Sequence, residues 1–131
     1  MKTLIVEDDV TSRVTLLGFL RRYGPAHMAD NGREAVEAVR TALALGQHYE
    51  LICLDILMPE MDGLQALAEI RHLEEAAGIA GPDRAKIIMT TSVADEASIM
   101  KAREWHCDYF IVKPVQKEKL LDQLRRMGLI V

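Results

Sequence analysis

Short apolar runs alternate along the chain with segments in which apolar residues recur every three or four positions. The runs at residues 3–6, 51–54, 86–90 and 109–112 predict buried strands, and a weaker strand is expected at 26–29. The segments between them have the apolar period of helices. Five strands alternating with five helices predict an α/β fold with a parallel sheet covered on both faces, because right-handed crossovers place helices there.

Turn residues and helical periodicity delimit the predicted helices. The first is expected to end at Gly24-Pro25. Its buried stripe is expected to comprise Val10, Val14, Leu17 and either Leu20 or Arg21. The other helices are expected after Asp30-Asn31-Gly32 as far as Gly46, from about Leu64 to Ala76, from about Glu96 to Trp105, and around Leu120, Leu121, Leu124 and Met127.

The composition predicts one globular domain across residues 1–131. Half of the residues are hydrophobic, which is enough for a substantial core but leaves no room for a second domain. The net charge of −4 and the pI near 5.5 argue against nucleic-acid binding through a basic face. Because no apolar run approaches the roughly 20 residues that cross a bilayer and no signal peptide precedes the first strand, we expect a cytoplasmic protein without membrane contact.

The cysteines and histidines suggest neither a disulfide framework nor a zinc site. Cys53 lies within an apolar run, and Cys107 lies near the end of a predicted helix. Both are expected to be reduced. The four histidines include no pair at ligand spacing.

Polar residues follow four of the predicted strands where each strand ends. Glu7 and Asp8 follow the first strand, Asp55 the third, Thr91 the fourth and Lys113 the fifth. The carboxyl ends of parallel strands share one edge of the sheet, where open α/β sheets bind ligands. Four strands that deliver such groups to one edge favour a common site over unrelated solvated loop residues.

The chemistry of these groups favours a phosphoryl group as the ligand. Three carboxylates at one edge repel one another, and either a raised pKa or a bound cation relieves that repulsion. Mg²⁺ takes oxygen ligands and keeps several waters, so it suits carboxylates on loops. Lys113 adds a positive charge opposite the metal, and Thr91 adds a hydroxyl donor between them. Asp55 would be the nucleophile, since aspartate carboxylates form acyl phosphates.

The order of these motifs resembles the receiver domains of two-component response regulators, in particular stand-alone receivers of the chemotaxis type. The matching motifs are Glu7-Asp8, Asp55 followed by Pro59 and Asp62-Gly63, Thr91-Ser92, and Lys113-Pro114. The resemblance covers essentially the whole chain. It implies a flavodoxin-like (βα)5 fold with sheet order 2-1-3-4-5.

The resemblance also implies a chemistry and a phosphodonor. Asp55 would accept a phosphoryl group from the phosphohistidine of a sensor histidine kinase or a histidine phosphotransferase. Mg²⁺ would be bound by Asp8, Asp55 and the backbone carbonyl of Leu57, with Glu7 acting through a water molecule. The protein would catalyse only its own phosphorylation and dephosphorylation, and would not be an enzyme in the ordinary sense.

The same resemblance assigns a switch and a readout surface. Thr91 would be the switch hydroxyl, and Phe110 would be the switch aromatic residue, where the family often has tyrosine. The readout surface would consist of helix four, strand five and helix five. The resemblance leaves open whether the protein forms a homodimer. Its residues would include Met100, Lys101, Trp105, Tyr109, Lys117 and Lys119.

Two positions depart from the family pattern. His106 stands where the family usually has glycine, at a predicted helix end, and would take a positive φ at some cost. Trp105 is large where relatives commonly have a small residue. Trp105 is interpreted as a packed helix end, with a partner-docking anchor as the alternative.

Three alternatives to a stand-alone receiver differ in how well the sequence fits them. A haloacid-dehalogenase-type phosphatase needs a second aspartate two residues after its nucleophile, where this chain has Leu57, and its nucleophile follows the first strand. A flavin or dinucleotide site is disfavoured because the acidic loop after strand one would repel a phosphate. A receiver fragment of a larger regulator or hybrid kinase stays open. The start at Met1 and the end after a complete fifth helix favour the stand-alone protein.

Overall fold

Five parallel strands form the centre of the fold. The computed structural model describes residues 1–93 and 95–131. The strands are β1 (Thr3–Val6), β2 (Ala26–Ala29), β3 (Leu51–Asp55), β4 (Lys86–Thr91) and β5 (Tyr109–Val112). They form one sheet in the order β2-β1-β3-β4-β5, and every neighbouring pair is parallel. The predicted flavodoxin-like topology is confirmed.

Five helices connect the strands. They are α1 (Val10–Leu20), α2 (Gly32–Ala44), α3 (Gly63–Ala76), α4 (Glu96–Glu104) and α5 (Lys117–Arg126). The first four begin at a side chain that accepts a backbone N–H of the first turn, an arrangement that satisfies one of the unpaired helix amides. These caps are Asp9, Asn31, Asp62 and Asp95. In the part of the chain that the structure describes, no helix is both long and apolar enough to span a bilayer.

The sheet separates two hydrophobic clusters, because successive strand residues point to opposite faces. Along β1, Leu4 and Val6 pack in the cluster with α2 and α3, whereas Ile5 packs in the other cluster with α1 and α5. β3 is buried along its whole length, including its last residue, Asp55. The site residues therefore extend from the most buried part of the molecule.

The predicted buried stripe of α1 is wrong at its first two positions. Val10 and Val14 are 61% and 60% exposed, whereas Leu16 and Leu20 are buried and Leu17 is half-buried. Val14 and Leu16 are two positions apart, so they point to nearly opposite sides of a helix with 3.6 residues per turn. The helix has the expected period but buries its larger leucine side chains, which remove more apolar area from water.

The end of α4 matches the expectation for Trp105 and His106. His106 has a φ of 63°, and it follows Trp105 at the helix end. Trp105 is half-buried, packs against the core and lies edge-to-face on His72 of α3, with ring centroids 5.0 Å apart. Trp105 therefore forms a packed helix end, as the sequence analysis expected.

A buried ionic network fixes the opposite, amino-terminal edge of the sheet. The Arg71 guanidinium donates to the Glu74 carboxylate (2.7 Å), to the carbonyls of Ala85 (2.9 Å) and His106 (2.7 Å), and to the Asp108 carboxylate (3.0 Å). His48 lies 2.7 Å from the second Glu74 oxygen. One arginine thus joins α3 to the start of β4 and to the turn between α4 and β5.

Candidate functional site

Three acidic side chains meet at the carboxyl edge of the sheet. One carboxylate oxygen from each of Glu7, Asp8 and Asp55 can be chosen so that all lie within 4.8 Å of one another. We call these residues the acidic cluster. Glu7 and Asp55 are buried, and Asp8 is exposed. The strand ends that the sequence predicted to converge are therefore adjacent in the structure.

Lys113 places its positive charge against two members of the acidic cluster. Its Nζ lies 2.6 Å from Glu7 Oε2 and 3.4 Å from Asp55 Oδ2. Its backbone N–H donates to the Thr91 carbonyl at 2.7 Å, which fixes the start of the loop after β5 against the end of β4. The fifth strand thus supplies the cation that the sequence predicted.

Burial and charge alter the proton affinities in this group. Burial is the largest influence on Asp55 and raises its pKa to about 7; the Glu7 charge adds to this effect and Lys113 opposes it. Burial alone would lower the pKa of Lys113, but the close ion pair with Glu7 and the charge of Asp55 outweigh it and raise that pKa above its ordinary value. The positive charge of Lys113 therefore balances the negative charge of an ionised Asp55 carboxylate only in part.

The acidic cluster fits a hard divalent cation. Its donors are all carboxylate oxygens, which Mg²⁺ prefers, and the exposed member, Asp8, leaves room for the waters that Mg²⁺ retains. The raised pKa of Asp55 shows that a further positive charge at this position would be stabilising. The Mg²⁺ ligand set of Asp8, Asp55, Leu57 and water-linked Glu7 stays a prediction.

Thr91 ends β4 beside Asp55. Asp55 pairs in register with Thr90, and the Ile56 N–H donates to the Thr90 carbonyl at 3.0 Å. The Thr91 side chain is buried, and its hydroxyl oxygen accepts the backbone N–H of Val93 at 3.2 Å. A hydroxyl that accepts one hydrogen bond still carries a hydrogen to donate. Thr91 thus stands next to Asp55 with its donor capacity unused by that bond.

The loop between β3 and α3 (residues 56–62, the β3–α3 loop) is closed by glycine. The Gly63 N–H donates to the Ile56 carbonyl at 2.8 Å, and a Cβ at Gly63 would lie 2.8 Å from the carbonyl carbon of Asp55 and overlap its oxygen. The sequence analysis used Asp62-Gly63 as one of the motifs of the resemblance and assigned Gly63 no structural role. Structurally, Gly63 is required so that α3 can begin directly against the backbone of the candidate nucleophile.

Two apolar side chains border this edge and are open to solvent. Leu57 is 58% exposed and Val93 is 55% exposed. They follow Asp55 and Thr91 by two residues each. Phe110, the predicted switch aromatic residue, is half-buried and packs against the core cluster beneath α2 and α3.

Comparisons with known proteins agree on one family. The family described as response regulator receiver domain matches residues 3–125. The chemotaxis protein CheY of Thermotoga maritima is 30% identical over 129 residues, which are 97% of this chain and 97% of that protein. The transcriptional regulatory protein SrrA of Staphylococcus aureus is 31% identical over 125 residues, which are 95% of this chain and 46% of SrrA.

A solved structure shares both the fold and part of the sequence. The CheX–CheY complex with BeF3 and Mg²⁺ from Borrelia burgdorferi matches with a TM-score of 0.82 and 25% identity, over 98% of this chain and 89% of the matched chain. The family match spans the whole sheet and includes every residue of the acidic cluster. This chain belongs to the response regulator receiver family and acts as a phosphorylation-activated switch in two-component signalling.

Proposed function

We propose that residues 1–131 form one receiver domain that is phosphorylated on Asp55 by a phosphohistidine of a sensor histidine kinase or a histidine phosphotransferase. Mg²⁺ would be held by Asp8, Asp55 and the Leu57 carbonyl, with Glu7 acting through water. The observation that carries this proposal is the position of Lys113, whose ammonium contacts both Glu7 and Asp55 beside the acidic cluster. We further propose a cytoplasmic location.

The reaction follows from these positions. One Asp55 carboxylate oxygen attacks phosphorus in line as the bond to the histidine nitrogen breaks, and the product is an acyl phosphate. Lys113 neutralises charge on the phosphoryl oxygens from the side of β5. Mg²⁺ held by Asp8 and Asp55 would supply further positive charge to this reaction. The protein would turn over no substrate other than its own phosphoryl group.

The switch would be a hydrogen bond from Thr91. A phosphoryl group on Asp55 adds acceptor oxygens, and the Thr91 hydroxyl can donate to one of them. This contact would draw the loop after β4 inward and let Phe110 move toward the space that Thr91 leaves. α4 begins after this loop and is weakly anchored: of its side chains Ala102 is buried, while Met100 is 61% exposed.

The downstream partner is proposed to bind the surface of α4, β5 and α5. Lys101, Lys117 and Lys119 are exposed there, and Tyr109 projects from β5 beside a groove of about 330 Å³. A homodimer through the same surface is a second proposed use. The match to 46% of SrrA also supports the alternative that this receiver is one part of a larger regulator.

Phosphorylation of Asp55 is tested with acetyl phosphate and Mg²⁺. Wild-type protein is expected to gain one phosphate that is labile to base and hydroxylamine, whereas Asp55→Asn gains none, because it lacks the nucleophilic oxygen. Asp83→Asn, which changes an exposed aspartate at the amino edge of the sheet, is the matched control and should react like wild type. Acid-stable phosphate on Asp55→Asn would refute the acyl-phosphate proposal.

Mg²⁺ binding should depend on Asp8. Asp8→Asn removes one anionic ligand, and we expect about tenfold weaker Mg²⁺ binding by calorimetry, which corresponds to about 1.4 kcal/mol. The same change should not lower the stability of the metal-free protein, since it removes repulsion within the acidic cluster. Equal Mg²⁺ affinity in the variant and the wild type would contradict the ligand assignment.

The lifetime of the phosphate should depend on Leu57 and Val93. In receivers, the residues at these two positions flank the approach of the hydrolytic water, and apolar side chains cannot orient it by hydrogen bonding. We expect the double variant Leu57→Asn/Val93→Glu to lose phosphate about tenfold faster, a difference of about 1.4 kcal/mol in the barrier. The measurement is the decay of phosphorylated protein over time. An unchanged decay rate would show that these two positions do not limit hydrolysis of the acyl phosphate.

A further inference from the structure

The β3–α3 loop is held by one backbone hydrogen bond that joins its two ends and by another inside it. The Gly63 N–H closes it onto the Ile56 carbonyl at 2.8 Å, and within it the Met61 N–H donates to the Pro59 carbonyl at 2.9 Å. Between them, Glu60 adopts a φ of 67°, which is unfavourable for a residue with a side chain. The loop is thus a defined structure, and its conformation fixes where the Leu57 backbone lies relative to Asp55.

The first residue of α2 holds the same loop from outside. The Gly32 N–H donates to the Met61 carbonyl at 3.1 Å. A Cβ at Gly32 would lie 3.0 Å from the Met61 carbonyl carbon and would overlap its oxygen. Gly32 is buried and has no positive φ, so glycine is required here by space and not by backbone conformation.

The remaining contacts at this junction are weaker or purely local. The Asn31 side chain caps α2 by accepting the Glu34 N–H at 2.9 Å, which sets the direction of its first turn. Arg33 and Glu60 lie 3.7 Å apart, but both side chains are exposed, and such a pair contributes little. Of the contacts described at this junction, the Gly32–Met61 hydrogen bond is therefore the main one between α2 and the β3–α3 loop.

We propose that Gly32 is a positioning residue for Mg²⁺ binding: it holds the β3–α3 loop through the Met61 carbonyl, and the loop presents the Leu57 carbonyl to the metal. This inference rests on the proposed function. Groups that orient metal ligands from outside the coordination sphere commonly change metal affinity by 10- to 100-fold. By linkage, Mg²⁺ must strengthen the Gly32–Met61 contact by the same factor by which that contact strengthens Mg²⁺ binding.

The test compares two glycine-to-alanine changes within helices. Alanine is the better helix former, so neither change is harmful to its helix in itself. Gly18 in α1 has open space around its Cβ position, whereas Gly32 faces backbone that cannot rotate away. We expect Gly32→Ala to raise the Kd for Mg²⁺ about tenfold by calorimetry. Gly18→Ala should keep the wild-type Kd.

A second readout separates positioning from a general loss of structure. With acetyl phosphate, Gly32→Ala should be phosphorylated slowly at low Mg²⁺ and should regain the wild-type rate at saturating Mg²⁺. A variant that is merely less folded would stay slower at every Mg²⁺ concentration. Folded Gly32→Ala with the wild-type Mg²⁺ affinity would overturn the role of Gly32 while leaving the proposed function intact.

Amide hydrogen exchange on the wild-type protein tests the same proposal should Gly32→Ala not fold. Saturating Mg²⁺ is expected to slow exchange of the Gly32 amide about tenfold and to slow that of Leu45 less, because Leu45 caps the far, exposed end of the same helix and opens locally. Equal slowing at both amides would overturn the proposal. Absence of any Mg²⁺ binding by the wild type would overturn both this inference and the Mg²⁺ site of the proposed function.

Discussion

Replacing Arg71 with methionine is expected to lower the free energy of unfolding by about 3–5 kcal/mol, the range for removing one partner of a buried ion pair. Arg71 is only 6% exposed, and Glu74 is fully buried. Without the guanidinium, Glu74 and Asp108 lose their cation, and the carbonyls of Ala85 and His106 lose a donor. Each unsatisfied buried group adds its own desolvation cost.

Urea titration monitored by circular dichroism would measure this effect. Arg40→Met is the matched control, because Arg40 pairs with Glu37 on the exposed side of α2 at 3.8 Å. Exposed pairs of this kind contribute little, so the control should stay within about 0.5 kcal/mol of wild type. A loss below about 1 kcal/mol in Arg71→Met would mean that the network is not a stabilising element.

The second large effect concerns the stability of Asp55→Asn without Mg²⁺. Burial raises the pKa of folded Asp55 from 3.8 to about 7, so the folded state holds this proton more tightly than the unfolded chain. The wild type therefore loses stability as the pH rises from about 4 through about 7. Asparagine carries no charge and escapes this loss. A shift of this size corresponds to about 4 kcal/mol, so we expect the variant to be about 4 kcal/mol more stable at pH 8 and nearly equal to wild type below pH 4.

Thermal and urea unfolding across this pH range would test that difference. Asp83→Asn, at an exposed position, should show no such pH-dependent gain. Mg²⁺ should offset most of this difference at pH 8, since a ligand that binds only the folded state adds about 2.7 kcal/mol to the wild type at a concentration of 100 Kd. A variant that is less stable than wild type in metal-free buffer at pH 8 would contradict the account of the acidic cluster.

Sequence alone predicted the elements that depend on local patterns. The apolar run that ends in Asp55 is a strand buried on both faces, and the acids after β1 and the lysine after β5 meet at its end because parallel strands share that edge. The resemblance then supplied the roles of these residues. Such inferences need only the order of the strands and the direction of the chain.

Features that depend on distant partners were missed. The burial of Arg71 depends on its ion pairs with Glu74 and with Asp108, which lies 37 residues away. Gly32 was read as part of a turn, since nothing local shows that Met61 packs against it. For α1, the period and the buried Leu20 were correct, but Val10 and Val14 were wrong, because the packing of Leu16 against the sheet turns the first turns of the helix the other way.

In the proposed mechanism, Asp55 carries the phosphoryl group as an acyl phosphate. Borohydride reduces an acyl phosphate to an alcohol and leaves ordinary carboxylates unchanged. Wild-type protein would be treated with acetyl phosphate and Mg²⁺, reduced, digested and sequenced by mass spectrometry. The account predicts homoserine in place of Asp55, with Glu7, Asp8 and every other acid unchanged. Phosphorylated protein that yields no homoserine, or yields the reduced residue at another acid, would contradict it.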